Sequence, residues 1–517
     1  MAQQQQTITV AAPGFKGMNT EASPLTMGPE WASIAHNCVF DQYGRLGARK
    51  GHTVLTTDNA ALGTDPVAVI HQHISRAGNK VVFSAGNNKV FTGTTTLTDI
   101  TGALVITADD WQIVSLNDDC FFFQAGHVPL SYDYSTSTFA LISSHPAYVA
   151  TAPSADVALG AYGRLWAANT STDKSTVYWS DLLIGPAWTG GSSGSIDVTE
   201  FWPRGSDEIT ALAAHNGYLI IFGHESILVY SGADDDPATN LVLEDTIDGI
   251  GCVGKHAVAS VGPELLFVDK SGVRAFSRVI QEKSLPIGEP SHNVKREIQS
   301  MISTETEKIK VVYSADDGFF LVNLPSKKAI WCFDINQPLE DGSLRTTLWT
   351  GKQIYAMATI QDGTLYFGNN DGILRYAGYL DDTSTYRYRY YSAPIDFGSP
   401  ASIKIPKNVC FTITGGPNQK ATAFWGYDYK YSFSSHPFVL DAQDLDFYNT
   451  TADEYNNQGD PDVDDPTEYV GGFGIKRYCI PLSGRGLALM IGLEIRVNNT
   501  QVSLQEFDIK TLIGRLG

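Results

Sequence analysis

Short apolar runs punctuated by Gly, Asn and Asp dominate the chain. The clearest set surrounds Ala214–Gly232, where the apolar runs Ile209–Ala214, Tyr218–Phe222 and Ile227–Tyr230 are separated by an Asn216-Gly217 turn signal and a short Gly223–Ser226 turn. Apolar runs joined by a few turn residues read as a β-hairpin, and the preceding run supplies a third strand. One such unit cannot bury both its faces, so it needs neighbours.

The same phrase recurs along the chain: a turn, an apolar run, a short polar turn, then a run ending in an aromatic. It leads from Gly78 to Phe91, Asp119 to Tyr132, Gly163 to Tyr178, Gly217 to Tyr230, Gly262 to Phe276, Gly318 to Trp331 and Gly363 to Tyr376. The turns lie 41, 44, 54, 45, 56 and 45 residues apart. A period in the mid-forties, built of short strands, predicts an all-β chain whose residues 56–380 form a β-propeller of about seven blades, one four-stranded sheet to a blade. Some other large all-β protein with frequent hairpins is the plainer alternative. The one good helical pattern is His292–Ile302, with Val294, Ile298, Met301 and Ile302 on one side. It falls in the longest gap between turns and reads as an insertion between blades.

Residues 1–55 precede the repeat. They read as a Gly/Pro-broken arm ending in a hairpin, with Asn37–Phe40, a turn at Asp41–Gly44, then Arg45–Arg49. The arm is too short for a core of its own and is expected to pack on another domain. The period ends at Leu380, and residues 381–517 form a further β domain. Within Thr385–Gly415, alternating Arg and Tyr predicts a strand with one aromatic face and Arg387 and Arg389 on the other. That second face reads either as solvated or as a contact with a partner subunit or DNA. Residues 437–470 are acidic and rich in Asn, Asp and Pro, and predict a long loop without strands. Its Asp462, Asp464 and Asp465 are candidates for a partner contact or a divalent ion, against the plainer reading of a solvated excursion. Near the end, Leu487–Val497 and Val502–Ile509 predict a pair of strands joined by Asn498-Asn499-Thr500.

Charge narrows the function. The net charge is −20, with Asp+Glu 56 against Lys+Arg 36. A protein that grips phosphates needs a basic face, and the basic clusters here are limited to Arg45–Lys50 and Tyr386–Arg389. An acidic wall past which DNA slides without sticking remains compatible with this charge. The cysteines, Cys38, Cys120, Cys252, Cys332, Cys410 and Cys479, are scattered without metal-site spacing and read as buried free thiols. The start has no basic segment followed by a long apolar one, so a secretory signal is not expected, and no apolar run reaches membrane-spanning length. Neither a cofactor nor a metal site is expected. Asp234-Asp235-Asp236 reads as a solvated loop tip, since the glycine and glutamate of a calcium loop are missing. His71 and His73 read as one blade's exposed face rather than as a ligand pair.

Three phrases carry a family resemblance. The first is Gly-Met-Asn-Thr followed by Ala-His-Asn-Cys-Val-Phe-Asp-Gln-Tyr-Gly-Arg-Leu and Arg-Lys-Gly, with Gly17, Asn37, Gly44, Leu46, Arg49 and Gly51 at the matching positions and Arg45 between Gly44 and Leu46. The second is Asp396-Phe397-Gly398 followed by Lys404, where the repeat gives way to the C-terminal region. The third is Gly484-Arg485-Gly486 and then Phe507-Asp508-Ile509 near the end. In this order around a propeller-like middle, they resemble the tail nozzle proteins, or tail tubular proteins of B type, of short-tailed double-stranded DNA bacteriophages. The resemblance implies a β-sandwich-like platform domain formed by the C-terminal region and the N-terminal arm. It also implies a structural role: a ring of six copies in the virion tail, assembled in the host bacterial cytoplasm, that extends the DNA-ejection channel below the portal. The implied partners are the head-to-tail adaptor, tail fibres or spikes, and DNA passing without sequence-specific binding. Arg45, Arg49, Arg387, Arg389, Asp462, Asp464 and Asp465 are the candidate interface residues, and no catalytic residue is expected.

The alternative is a propeller-fold glycan-binding protein or glycosidase. Such a site needs carboxylates flanking a bond, and for sialic acid an arginine cluster at the propeller axis. Ser314–Phe320 only approaches the Asp-box turn of those enzymes and lacks its Thr-Trp. Convergence of arginines and carboxylates at the axis would separate the two readings.

Overall fold

The computed structural model describes residues 4–277, 279, 289–416, 418–430, 432–440, 446–449, 454–456, 469–471 and 475–514. The chain divides into two compact units. One holds Val54–Leu344 and Gly351–Tyr376, and the other Met1–Thr53, Arg345–Thr350 and Ala377–Gly517.

The first unit is a seven-bladed β-propeller. The innermost strands of its blades are Val69–Ile74, Gln112–Leu116, Ala155–Ala161, Ala211–His215, Val258–Val261, Lys310–Ser314 and Ala356–Thr359. Each neighbours the next, and the last neighbours the first, so the ring closes. All seven copies of the sequence phrase fall on the second and third strands of a blade. In blade 4 these are Tyr218–Phe222 and Ser226–Ser231, between the inner strand and the outer strand Val242–Asp248. The preceding turn is tight because Asn216 and Gly217 both take positive φ, 49° and 82°, a pairing that suits the twist of a two-residue hairpin.

The cores lie between blades. Phe83 of blade 1 meets Phe122 of blade 2 edge to face, with centroids 5.4 Å apart. Trp166 and Trp179 of blade 3 pack with Leu219, Leu228 and Tyr230 of blade 4. Ile70 and Phe91 of blade 1 pack with Ala356 and Ile373 of blade 7, so an apolar layer seals the ring where its ends meet. Fully burying side chains of this size stabilises by about 1.5–3 kcal/mol each. The helical insertion appears as a 3-10 turn His292–Val294 followed by a helix Lys295–Ser303, with Val294, Ile298 and Ile302 buried. The helix packs on the third strand of blade 5, Gly272–Ala275.

The second unit is a β-sandwich. One sheet runs Cys38–Phe40, Leu46–Ala48, Val502–Ile513, Lys404–Gly415, Ile475–Pro481, and Gln4–Ala11 extends it along Val502–Ile513. The other runs Arg345–Thr350, Trp31–His36, Tyr386–Ser392, Leu489–Val497, Lys420–Tyr427, Ser434–Val439. The arm therefore supplies strands to both sheets, which is how a segment with no core of its own becomes ordered. The expected aromatic face is present: Tyr386, Tyr388 and Tyr390 are buried, while Arg387 points outward.

Three expectations need correction. The strands around Asn498-Asn499-Thr500 form, but they do not pair with each other. Leu489–Val497 joins one sheet and Val502–Ile513 the other, so the turn is the sandwich's edge crossing. Both strands alternate, and alternation does not say which sheet a strand will join. The acidic segment is not strand-free: Asp446–Asn449, Glu454–Asn456 and Tyr469–Gly471 form a small antiparallel sheet, with Tyr448 opposite both Tyr455 and Tyr469. The cysteines are not all free. Cys410 and Cys479, 69 residues apart, face each other on adjacent strands and form a disulfide. Cys38, Cys120, Cys252 and Cys332 are buried free thiols.

Candidate functional site: charged groups across the propeller ring

A cluster of charge spans the propeller ring at the leading ends of its inner strands. Lys255 of blade 5 reaches across to blades 2 and 3. Its ammonium donates to the Asp110 carbonyl at 2.8 Å and to Asp156 Oδ1 at 2.7 Å, and lies 3.2 Å from Asp110 Oδ2. His256 Nε2 lies 2.8 Å from Asp110 Oδ1. Lys310 of blade 6 donates to the carbonyl of Ala68, beside the inner strand of blade 1. An isolated buried charge is costly, so these cations are held because oxygens from opposite blades surround them. Burial would raise the Asp110 carboxyl, but the bonds and charges of His256, Lys255 and Lys310 outweigh it and hold the group well below the usual carboxylate range. Burial and the Lys310 charge lower His256 to about 4, against the pull of Asp110, so it is neutral near pH 7. Burial also lowers Lys310 to about 8.

Above this cluster opens a cavity of about 750 Å³. Its floor is Asp110, Asp156, Lys255 and His256, with Glu208 and His224 of blade 4 on one side and the end of the inserted helix with the Glu305–Ile309 segment on the other. Its volume suits a small ligand. Carboxylates and lysines converge at the ring, but among the described residues no arginine lines the cavity. Sequence reasoning did not single out this cluster. Its residues are isolated letters at the starts of different repeats, and only closure of the ring brings them together.

His71 and His73 are not on an exposed face. His73 is fully buried, and both histidines bind Ser115 of blade 2, through His71 Nε2 at 2.8 Å and His73 Nδ1 at 2.9 Å. His73 Nε2 lies 3.1 Å from the Asp118 carbonyl, which can only accept, so that nitrogen carries the proton. The Ser115 hydroxyl then donates to His73 Nδ1 and accepts from His71 Nε2. Burial, with the neighbouring His73, lowers His71 to about 4. The trio ties the inner strands of blades 1 and 2. At the Asp234–Asp236 tip, Asp236 caps the short helix Pro237–Asn240 and Asp235 accepts from Asn240. No metal-holding group of His, Cys, Asp or Glu occurs among the described residues.

In the sandwich the candidate arginines take different places. Arg49 is internal rather than on the surface: it forms a bidentate pair with Asp381 and lies over the Tyr386 ring. Arg45 pairs with Asp41 at 2.6 Å inside its own hairpin. Arg387 and Arg389 stand on the outer face beside Glu494, with side chains 68% and 40% exposed. Arg387 sits directly opposite Arg496, and the pairing of Ala421 with Ile495 puts Lys420 beside Arg496, so three cations form a row across adjacent strands. Asp462, Asp464 and Asp465 lie outside the described residues.

The three resemblance phrases fall in this unit. Beside them, Phe15, two residues before the first phrase, Tyr390, six before the second, and Phe507 of the third form one aromatic cluster, with centroids 5.9–6.1 Å apart. Lys404 and Gly486 bond to each other's backbones at 2.7 and 3.1 Å. A side chain at Gly51 would strike the carbonyl of Leu380, and one at Gly44 would strike Pro13.

No protein-family model matches the chain, and no curated protein matches it. Among solved structures, the chain is similar to the computationally designed Ika8 protein, at TM-score 0.36 and 13% identity over 63% of this chain and 99% of that one. It is also similar to Raptor of Chaetomium thermophilum, at TM-score 0.40 and 11% identity over 64% of this chain and 29% of that one. The N-terminal domain of Nup159 gives TM-score 0.36 and 10% identity over 66% and 98%. The blade count rests on the chain's own strand order and not on these likenesses. No helix among the described residues is long and apolar enough to cross a membrane.

Proposed function

We propose that this chain is a structural part of the tail of a short-tailed DNA bacteriophage: the nozzle, a ring of copies extending the ejection channel below the portal and adaptor. The observation that carries this reading is that all three phrases fall in one compact unit, where Lys404 of the second and Gly486 of the third pair backbone to backbone at 2.7 and 3.1 Å. Segments resembling the nozzle family at the arm, the propeller exit and the C-terminus are thereby parts of a single platform, as expected for a piece that joins neighbours in a ring.

Two features agree with it. The propeller's own axis is crossed by Lys255 and Lys310, so the DNA path would lie between copies, bounded by an acidic protein that repels the phosphate backbone. Like charges directly opposite each other destabilise a sheet, and Glu494 reaches only the Arg387 end of the Lys420–Arg496–Arg387 row, so an anionic surface over the row would favour it. A neighbouring acidic copy is such a surface. The test is quantitative mass spectrometry of gradient-purified virions from the source. This chain should be present in several copies per particle, together with portal and adaptor. Its absence from purified particles would contradict the reading.

A further inference from the structure

On blade 3 of the propeller, three consecutive apolar side chains stand in solvent. Leu182, Leu183 and Ile184 are 49%, 59% and 40% exposed. An exposed apolar run of this length is a surface fault unless something covers it. The loop is pinned in this pose. The Leu183 amide donates to the Gly163 carbonyl, and the Asn117 side chain donates to the Leu183 carbonyl, both at 2.7 Å. Asp181 Oδ1 accepts from the Leu182 amide at 2.8 Å and from the Ser192 amide and hydroxyl at 2.9 and 2.8 Å. Leu183 has φ 61°, a region that leucine rarely takes. Bonds to the hairpin turns of blades 2 and 3 thus fix the side chains outward. The patch continues onto blade 4, where Tyr162 donates to the Tyr218 carbonyl at 2.9 Å and the Tyr218 ring is exposed. Carboxylates rim it. Asp118 and Asp119 follow Asn117, Asp133 stands opposite Asp119 on the next strand, and the Asp234 charge acts on the Tyr162 hydroxyl. Of the nearby cations, His145 pairs with Asp119 at 3.3 Å and Arg164 is buried against the carbonyls of Ser180 and Ser192, which leaves the exposed Arg76, whose amide donates to Asp118.

A cover for this patch must be apolar and positively charged, and the chain's own sandwich carries such a face. There Arg387, Arg496 and Lys420 stand side by side on three strands, the exposed Val439 continues the row on a fourth, and Arg389 adjoins it. Four cations stand about the charge of Glu494. We propose that copies of this chain associate head to tail, the acid-rimmed Leu182–Ile184 patch of one copy covering the cationic sandwich face of the next. In the nozzle, on whose reading this rests, the contact would recur between neighbours: two different surfaces that meet make a heterologous contact, which closes into a ring when its rotation allows. Burial of the aliphatic side chains supplies affinity, and the opposed charges set register and speed encounter. An anionic lipid surface, another cover for exposed aliphatics, is repelled by Asp118, Asp119 and Asp234.

The experiment is sedimentation velocity of the purified full chain over a wide range of concentration. Leu182→Ser with Leu183→Asn removes the patch, and asparagine tolerates the positive φ. Arg387→Ser with Lys420→Ser removes two cations of the facing row. All four side chains are exposed, and melts matching wild type check that both variants fold. Wild type should self-associate as concentration rises, and each variant alone should associate roughly tenfold or more weakly. Mixed where each alone is monomeric, the two variants should form a dimer and nothing larger, because each keeps the surface the other has lost and only one contact per pair survives. A monomeric wild type at every concentration would overturn the proposal. So would undiminished association of either variant, or a mixture that stays monomeric. None of these results removes the chain from the tail, since the nozzle reading falls separately, on its absence from purified particles.

Discussion

Arg49 and Asp381, 332 residues apart, are joined by two parallel hydrogen bonds of 2.8 and 2.7 Å. His52 Nδ1 adds a third contact to Asp381 at 3.1 Å, and Tyr386 covers the guanidinium. The pair locks the end of the arm to the first residues after the propeller. Planar two-point recognition is what arginine does and lysine cannot.

Breaking this pair leaves one buried charge uncompensated, so Arg49→Ala should cost about 3–5 kcal/mol. Arg49→Lys should recover only part of it. Burial would raise the Asp381 carboxyl, but hydrogen bonds from His52 and Arg49 outweigh it, and the group sits well below the ordinary range. A depressed carboxylate stabilises the fold above its unfolded pKa of about 4, and that stability fades as pH falls below it. Denaturant unfolding at pH 7 and pH 3 should show the difference between wild type and Arg49→Ala shrinking at the lower pH.

Burial acts on the histidines in the opposite sense. It lowers His36 to about 4, helped by Arg389, and lowers His71 and His256 to about 4 as well. These rings are neutral in the fold and take up protons more readily when unfolded. The fold therefore loses stability as pH drops from about 6.5 towards 4, and their contribution is constant above that window. Replacing Ser115 by Ala removes the partner that His71 and His73 share, leaves His73 only the Asp118 carbonyl, and should cost about 1–3 kcal/mol. A urea midpoint for Ser115→Ala equal to wild type would count against the blade 1–blade 2 tie.

Gly51 is tested by adding one methyl group. A Cβ there would lie 1.8 Å from the Leu380 carbonyl oxygen, so backbone rather than a flexible side chain must move. Gly51→Ala should destabilise the sandwich by at least 1–3 kcal/mol, roughly the cost of overpacking. Thermal melts followed by near-ultraviolet dichroism report it, and a melt unchanged from wild type would show that the arm is not held there.

Much of this fold is legible in the chain, and what is hidden follows a pattern. The blades show because each repeats a local signal, as in Asn216-Gly217 followed by two apolar runs. The helix shows through Val294, Ile298 and Ile302, and the buried tyrosine face through alternation in Tyr386–Tyr390. Long-range pairing is what stays hidden. Cys410 and Cys479 look like scattered thiols until two strands align, and His71 looks solvent-facing until Ser115 of the next blade is placed beside it. The cluster of Asp110, Asp156 and Lys255 is the extreme case, since its members come from three blades and share no local pattern.

The disulfide gives a separate test. It closes a segment of 69 residues that contains the acidic stretch, and reducing it should lower stability by about 2–4 kcal/mol. Peptide mapping without reductant should find Cys410 linked to Cys479, and unfolding with and without dithiothreitol should differ by that amount.

On the proposed nozzle reading, the outward arginines Arg387 and Arg389 would lie at a contact between copies. Arg387→Glu with Arg389→Glu replaces two exposed cations on the sandwich without touching its buried face. The folded variant should fail to incorporate into particles when supplied in place of wild type. Normal incorporation, read by particle mass spectrometry, would remove this face from the ring contact.

The most direct measurement is immunogold electron microscopy of intact virions from the source, with antibody raised to this chain. The account predicts gold at the distal tip of the tail. Particles without gold, or with gold spread over the head, would contradict it.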